Sequence, residues 1–314
     1  MPLRFTLRQL EYFVAVGEMG SIALASEKVN VSSPSISTAI SQLEKEFAIP
    51  LFVRQHAHGL ALTQAGRQML DQVRTVLREA NLLVDLAGDI SGVVRGGLNI
   101  GCLVTFAQLV LPSVRRRFET EYPEVRVGQY EMNQAEIFSA LRRAEIDVAL
   151  TYNLQLPADL VFETLLELSP YVMVDEAHPL VDAEEVTVEQ LAQHKMVLLD
   201  LPFSSEYFLS FFTACGVKPE IAERTRDMAV MRSLVANGYG FAIANVPQMS
   251  DLSPDGKRLR FIPIRGEVRP MRMGLLMPTD ARQSHVIRAF VAHCKHQYET
   301  GVVPGLPTTA SHRV

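Results

Sequence analysis

Between Ser33 and Phe47 the chain sets small hydroxyl and amide side chains beside an apolar stripe. Ile36, Ile40, Leu43 and Phe47 recur at steps of four, three and four, the spacing of one helix face. With that stripe turned inward, Ser35, Ser37, Thr38, Ser41 and Gln42 face outward. Such groups do no covalent chemistry unless a base activates them. They are suited to bonding phosphate oxygens and base edges, and a threonine methyl can touch the methyl of thymine. Groups that carry catalysis or metals are scattered by comparison. The eight histidines form no ligand spacing, and Cys102, Cys215 and Cys294 are far apart. His293 and His296 beside Cys294 read as a solvated helix face, and Cys102 as a small buried apolar residue. No GxGxxG after a strand, P-loop, GxSxG or HExxH is present, so an enzyme is not expected, nor any cofactor or metal.

Three short helices and a hairpin must position that polar face. Thr6 and Gln9 form a capping-box pattern that starts a first helix through Leu7, Leu10, Phe13 and Val14. Gly20 and Ser21 break and restart the chain, with Ser21 the cap of a second helix, Ile22 to Val29, closed by Asn30. Ser33 as cap and Pro34 as first residue open the third helix. Ala25 and Ala39 are small where helices cross. Leu51 to Arg54 and Leu60 to Leu62 make a hairpin, and Thr63 caps a further helix. On that helix Leu70, Val73, Leu77, Ala80, Val84 and Ala87 form a heptad seam that fits a dimer contact, the preferred reading, or one buried face of a monomer helix. This is the plan of a winged helix-turn-helix, whose third helix lies in the major groove.

Charge does not announce such a site. The net charge is −5, and within the first sixty-three residues Arg4, Arg8, Lys28, Lys45 and Arg54 are balanced by Glu11, Glu18, Glu27, Glu44 and Glu46. Counterion release depends on charges at the phosphates, so the total does not exclude local DNA binding. The N-terminus lacks an apolar leader core, no run is long enough to span a membrane, and the cysteines suggest no disulfide framework. A cytoplasmic location is expected. A transport-type solute-binding protein is disfavoured by the same missing leader.

Leu7-Arg8-Gln9-Leu10-Glu11-Tyr12-Phe13, Gly20-Ser21-Ile22 and Val31-Ser32-Ser33-Pro34-Ser35-Ile36-Ser37 resemble the LysR-type transcriptional regulators. So do Ile40-Ser41-Gln42-Leu43-Glu44-Lys45-Glu46-Phe47, Pro50-Leu51-Phe52-Val53-Arg54 and Leu62-Thr63-Gln64-Ala65-Gly66. The resemblance implies a homodimer or homotetramer that binds a DNA operator under control of a small-molecule effector. It implies DNA-facing roles for Ser33, Pro34, Ser35, Ser37, Thr38 and Gln42, with Arg54 in the wing. Thr38 departs from the arginine or long polar residue common in the family, and threonine cannot make a bidentate guanine contact. His56 and His58 stand where wing arginines are common.

After a hinge at 91–97, strands and helices alternate: Leu98–Gly101, helix Phe106–Tyr122, Val125–Tyr130, helix Gln134–Arg143 and Asp147–Thr151. This order implies a parallel sheet. A second set follows: Tyr171–Val174, Met196–Leu199, helix Ser205–Cys215, Glu220–Glu223, helix Ala229–Asn237 and Gly240–Ala244. Met273–Met277 and helix Arg282–Tyr298 close the chain. The expected architecture is α+β and multidomain, ending in a two-lobed α/β effector domain of the periplasmic-binding-protein type. Its bounds read as a winged domain at 1–65, linker helix 66–90, effector domain 98–300 and tail 301–314. Lobe I takes 98–167 and 271–300, and lobe II takes 168–270. Ligands sit at carboxyl ends of strands, which places an effector among Leu103, Thr105, Tyr152, Asn153, Phe203 and Ser204. Ser205 is expected to cap its helix, and Arg226 and Asp227 are secondary candidates.

Overall fold

The computed structural model describes residues 3–55, 59–91, 93–246, 249–279, 281 and 284–299. His56 and His58, Pro247, Arg282 and the tail expected at 301–314 lie outside them. The chain forms two compact units, one of residues 1–92 with 142–145 and one of the remainder.

The first unit runs α1 (Leu7–Met19), α2 (Ile22–Val29), α3 (Ser33–Phe47), β1 (Phe52–Gln55), β2 (Gly59–Leu62) and α4 (Gln64–Ser91). Local chemistry sets the ends. Thr6 and Gln9 make the reciprocal capping box on α1, Ser21 caps α2, and Gly20 and Asn30 close their helices in the left-handed region. The start of α3 differs from expectation by one residue. Ser32 holds the cap position, Ser33 is already helical, and the Ser32 hydroxyl pairs with that of Ser35 at 2.8 Å instead of capping. Leu10, Phe13, Val16, Ala25, Ile36, Ile40 and Leu43 fuse into one core with Leu51, Leu70 and Val73. β1 and β2 pair antiparallel from Phe52–Leu62 to Gln55–Gly59. Glu44 ties the base of this wing to α3: its Oε1 accepts from the amides of Leu51 at 2.8 Å and Phe52 at 3.2 Å.

The second unit opens with a five-stranded sheet in the order β4-β3-β5-β12-β6. Its strands are β3 (Gly96–Leu103), β4 (Val125–Met132), β5 (Val148–Tyr152), β6 (Leu160–Leu168) and β12 (Met271–Pro278). β3 pairs parallel with β4 and β5, but β12 runs antiparallel to β5 and β6, so the sheet is mixed where a parallel one was expected. On it pack α5 (Val104–Ala107), α6 (Leu111–Glu121), α7 (Gln134–Arg142) and α11 (His285–Glu299). The single helix expected over Phe106–Tyr122 is two, because a turn at 108–110 intervenes and Pro112 restarts the helix in its first turn.

A second lobe is built on β7 (Tyr171–Asp175), flanked antiparallel by β10 (Ala242–Ala244) and β11 (Leu259–Pro263). The parallel pair β8 (Lys195–Leu199) and β9 (Glu220–Thr225) joins it through the Val197 amide on the Phe241 carbonyl at 2.7 Å. α8 (Val188–Leu191), α9 (Ser204–Ala214) and α10 (Met228–Ala236) complete it. β6 and β11 lie outside the pattern read from the sequence. β6 is an edge strand whose pairing shifts register opposite Met273 and Gly274, so its alternation breaks at Leu165-Leu166.

Candidate nucleic-acid interface and effector cleft

The stripe of α3 is buried at Ile36, Ala39, Ile40 and Leu43, while Pro34, Ser35, Ser37, Thr38, Ser41 and Gln42 are exposed and Ser33 is half-buried. The outward face is therefore the one the spacing demands. Its groups are less free than their types suggest. The Thr38 hydroxyl donates to the Pro34 carbonyl at 2.9 Å, which leaves the γ-methyl as what the side chain offers outward. The Gln42 Oε1 accepts from Gln9 Nε2 at 2.6 Å. Arg54 is exposed on β1. Sequence reasoning missed Gln9 as a support of this face, since its partner Gln42 lies thirty-three residues away.

In the second unit, strand ends converge as the open-sheet rule requires. Tyr152 ends β5, Leu103 ends β3, Thr105 lies in the short α5, Phe203 and Ser204 begin α9, and Asn245 follows β10. The Tyr152 hydroxyl donates across the lobes to Asn245 Oδ1 at 3.0 Å, with Thr105 beside it. Burial pushes this hydroxyl well above the usual tyrosine range, with Thr105 working the other way and the hydroxyls of Tyr171 and Tyr207 adding to the rise. The Tyr152 ring lies 4.6 Å from that of Phe106. Phe203 adopts φ 64°, rare for a residue with a Cβ, and meets Phe138 of the other lobe at 5.6 Å between ring centroids. Gln155 Nε2 donates to Glu206 Oε2 at 2.9 Å, a third link between lobes. Asn245 is 3 % exposed, and its Nδ2 has no hydrogen-bond partner among the described residues.

Several expected site residues are placed otherwise. Asn153 is locked to β12: its Oδ1 accepts from the Arg272 amide at 2.9 Å, and its own amide donates to the Arg272 carbonyl. Leu103 is core, 1 % exposed. Ser205 does not cap α9, since its hydroxyl donates back to the Leu201 carbonyl at 3.1 Å. Asp227 is an ordinary cap, its Oδ1 accepting from Ala229 and Val230. Asn245 and Gln134 were missed as cleft candidates. The strand-end rule does point to Asn245, which follows Gly240–Ala244, whereas Gln134 is buried at the start of α7 with its Nε2 donating to the Tyr152 and Leu154 carbonyls.

Of the solvated face expected on the last helix, only His296 is exposed. His293 and Cys294 are buried, and His293 Nδ1 meets Glu121 Oε2 at 2.7 Å, because α11 packs on α6 and β3. Burial pushes the thiols of Cys102 and Cys294 up, so neither is an activated thiolate. No group of three or more His, Cys, Asp or Glu among the described residues is arranged to hold a metal ion. No described helix is long and apolar enough to cross a membrane.

Residues 7–67 match the family described as bacterial regulatory helix-turn-helix protein, lysR family, and residues 91–299 match the LysR substrate binding domain. The chain is 28% identical over 244 residues to the transcriptional regulator CysB of Haemophilus influenzae, covering 76% of this chain and 74% of that protein. It is 26% identical over 253 residues to the dual regulator OxyR of Escherichia coli, covering 80% and 82%. Among solved structures it is similar to HinK, a LysR family regulator from Pseudomonas aeruginosa, at 30% identity and TM-score 0.63, covering 94% of this chain and 99% of that one. Full-length OxyR from Pseudomonas aeruginosa shares the fold with TM-score 0.73 at 18% identity, over 93% and 98%. The chain belongs to the LysR family: it is a DNA-binding, effector-responsive, oligomeric transcriptional regulator and not an enzyme.

Proposed function

We propose that α3 enters the major groove of an operator in the cytoplasm, with Ser35, Ser37, Thr38 and Gln42 at base edges, Ser33 and Pro34 near the backbone, and Arg54 on a phosphate. The exposure of that polar face, opposite a stripe buried at Ile36, Ile40 and Leu43, carries the reading. In this reading 1–65 is the winged domain, 66–90 the dimerising linker helix and 98–300 the effector domain, with lobes at 98–167 plus 271–300 and at 168–270. Ser35→Arg is expected to abolish or redirect operator binding in a mobility-shift assay while leaving the oligomer intact. Unchanged affinity and unchanged sequence preference would remove α3 from the groove.

The effector sits between the lobes, against Thr105, Tyr152, Phe203 and Ser204, with Asn245 added to the expected set. The polar groups gathered there are uncharged: the Tyr152 and Thr105 hydroxyls and the Asn245 amide. They suit an effector carrying a hydrogen-bond acceptor and an apolar part for Phe203. Ligand binding to the native state stabilises it by mass action, so metabolites screened against the full chain reveal binders as a rise in Tm. Asn245→Ala is expected to weaken such a binder about tenfold, the cost of one hydrogen bond in a buried site. A binder indifferent to Asn245→Ala and to Tyr152→Phe overturns the cleft assignment.

A further inference from the structure

A hydrogen-bond relay joins the start of α1 to the middle of α3, and its polarity is fixed. The Thr6 backbone amide donates to Gln9 Oε1 at 2.8 Å. A backbone N–H can only donate, so the oxygen of Gln9 must face Thr6. The Gln9 amide nitrogen then points the other way and donates to Gln42 Oε1 at 2.6 Å. That nitrogen accepts nothing, so Gln42 must turn its oxygen inward. What remains on the exposed face of α3 is the Gln42 NH2 group, with donors only. Of the neighbouring hydroxyls, that of Thr38 donates to the Pro34 carbonyl and that of Ser35 pairs with Ser32.

We infer that Gln9 is a positioning residue for base recognition, which holds Gln42 so that it reads a major-groove acceptor. The inference rests on the proposal that α3 lies in the groove. Guanine O6 and N7 and thymine O4 are such acceptors, whereas adenine N6 and cytosine N4 donate. The bidentate pairing of glutamine with adenine uses both ends of the amide. Gln9 holds the Gln42 oxygen on the protein side through one of its two lone pairs, which disfavours that pairing at Gln42. The specificity of this position is thus set by a residue on another helix that need not touch DNA.

The test is selection of bound sequences from a randomised duplex library by the full-length protein, its Gln42→Ala variant and two variants of Gln9. Gln42→Ala identifies the base pair read. Gln9→Glu keeps the capping box, for which glutamate is a preferred partner, so α1 retains its start. A carboxylate only accepts, so it must draw the Gln42 NH2 inward and turn its oxygen toward the DNA. The expected result is a switch of about tenfold in preference at that one pair, from acceptor bases to cytosine or adenine, with the other positions unchanged. Gln9→Leu frees both ends and is expected to admit adenine there. Thermal melting confirms that both variants fold. If Gln42→Ala alters one pair but Gln9→Glu and Gln9→Leu select the parent sequence, the relay is overturned while the groove assignment stands. If neither Gln42→Ala nor Ser35→Arg changes the selected sequence, the groove assignment falls and the inference with it.

Discussion

Replacing Gly66 with alanine is expected to melt the N-terminal unit well below the rest of the chain. A Cβ at this position would stand 2.1 Å from the Leu51 carbonyl oxygen and 3.0 Å from its carbon. The obstacle is backbone, so no rotamer relieves it. The start of α4 cannot move away without loss, because the Gly66 amide donates to Thr63 Oγ1 at 2.8 Å and that hydroxyl donates to the Pro50 carbonyl at 2.8 Å. The Thr63 amide also donates to the Leu51 carbonyl at 3.0 Å. Moving helix from strand therefore strains three bonds and opens the core at Leu51 and Leu70. Overpacking of this kind costs about 3 kcal/mol. In a domain of roughly 90 residues that lowers Tm by about 15 °C. Calorimetry of the full chain should show the lower transition displaced and the upper one in place, with operator binding lost on mild warming. An unshifted thermogram would mean that α4 can slide at its start without penalty.

The second large effect is expected from α4 itself. Leu83 is 71% and Ile90 81% exposed, with Val76, Val84 and Leu86 also exposed. Val76, Leu83 and Ile90 are seven residues apart, the repeat of a helix pair. Contiguous apolar surface of this kind marks an interaction site. The double variant Leu83→Glu with Ile90→Glu puts like charges into that face. It should sediment at lower mass than the parent chain and still unfold cooperatively, with Tm lower only by the lost mass action of assembly, since neither side chain supports the fold of its own unit. Operator affinity is expected to fall by about 100-fold, because joining two half-site readers raises the apparent affinity by about 10²–10⁴. An unchanged sedimentation profile would place the dimer contact elsewhere.

The seam read from the sequence at Leu70, Val73, Leu77, Ala80, Val84 and Ala87 is divided in the folded unit. Leu70 and Val73 are spent in the winged-domain core, with Leu77 packed against it, while Val84 and Ala87 remain exposed. One periodicity thus serves two surfaces, and helical spacing is the same whether a face meets its own domain or another chain. The same limit explains His293, which reads as surface in a charged helix until α6 brings Glu121 against it.

What the sequence determined by itself is local. Caps at Thr6 and Ser21, left-handed closures at Gly20 and Asn30, and the inward stripe of α3 depend on residues within a turn of one another. Their energetics are legible because partner and spacing are both written along the chain. The carboxyl ends of several strands were also legible, since the strand-to-helix order is topological. Only the tertiary structure decided which polar atoms remain available there. It spent Asn153 on β12 and Asp227 on a cap, turned Tyr152 toward Asn245, and joined Gln9 to Gln42 across thirty-three residues. A hydrogen-bonding group meets its partner in space, and a residue's type gives its donors and acceptors without saying which are already used.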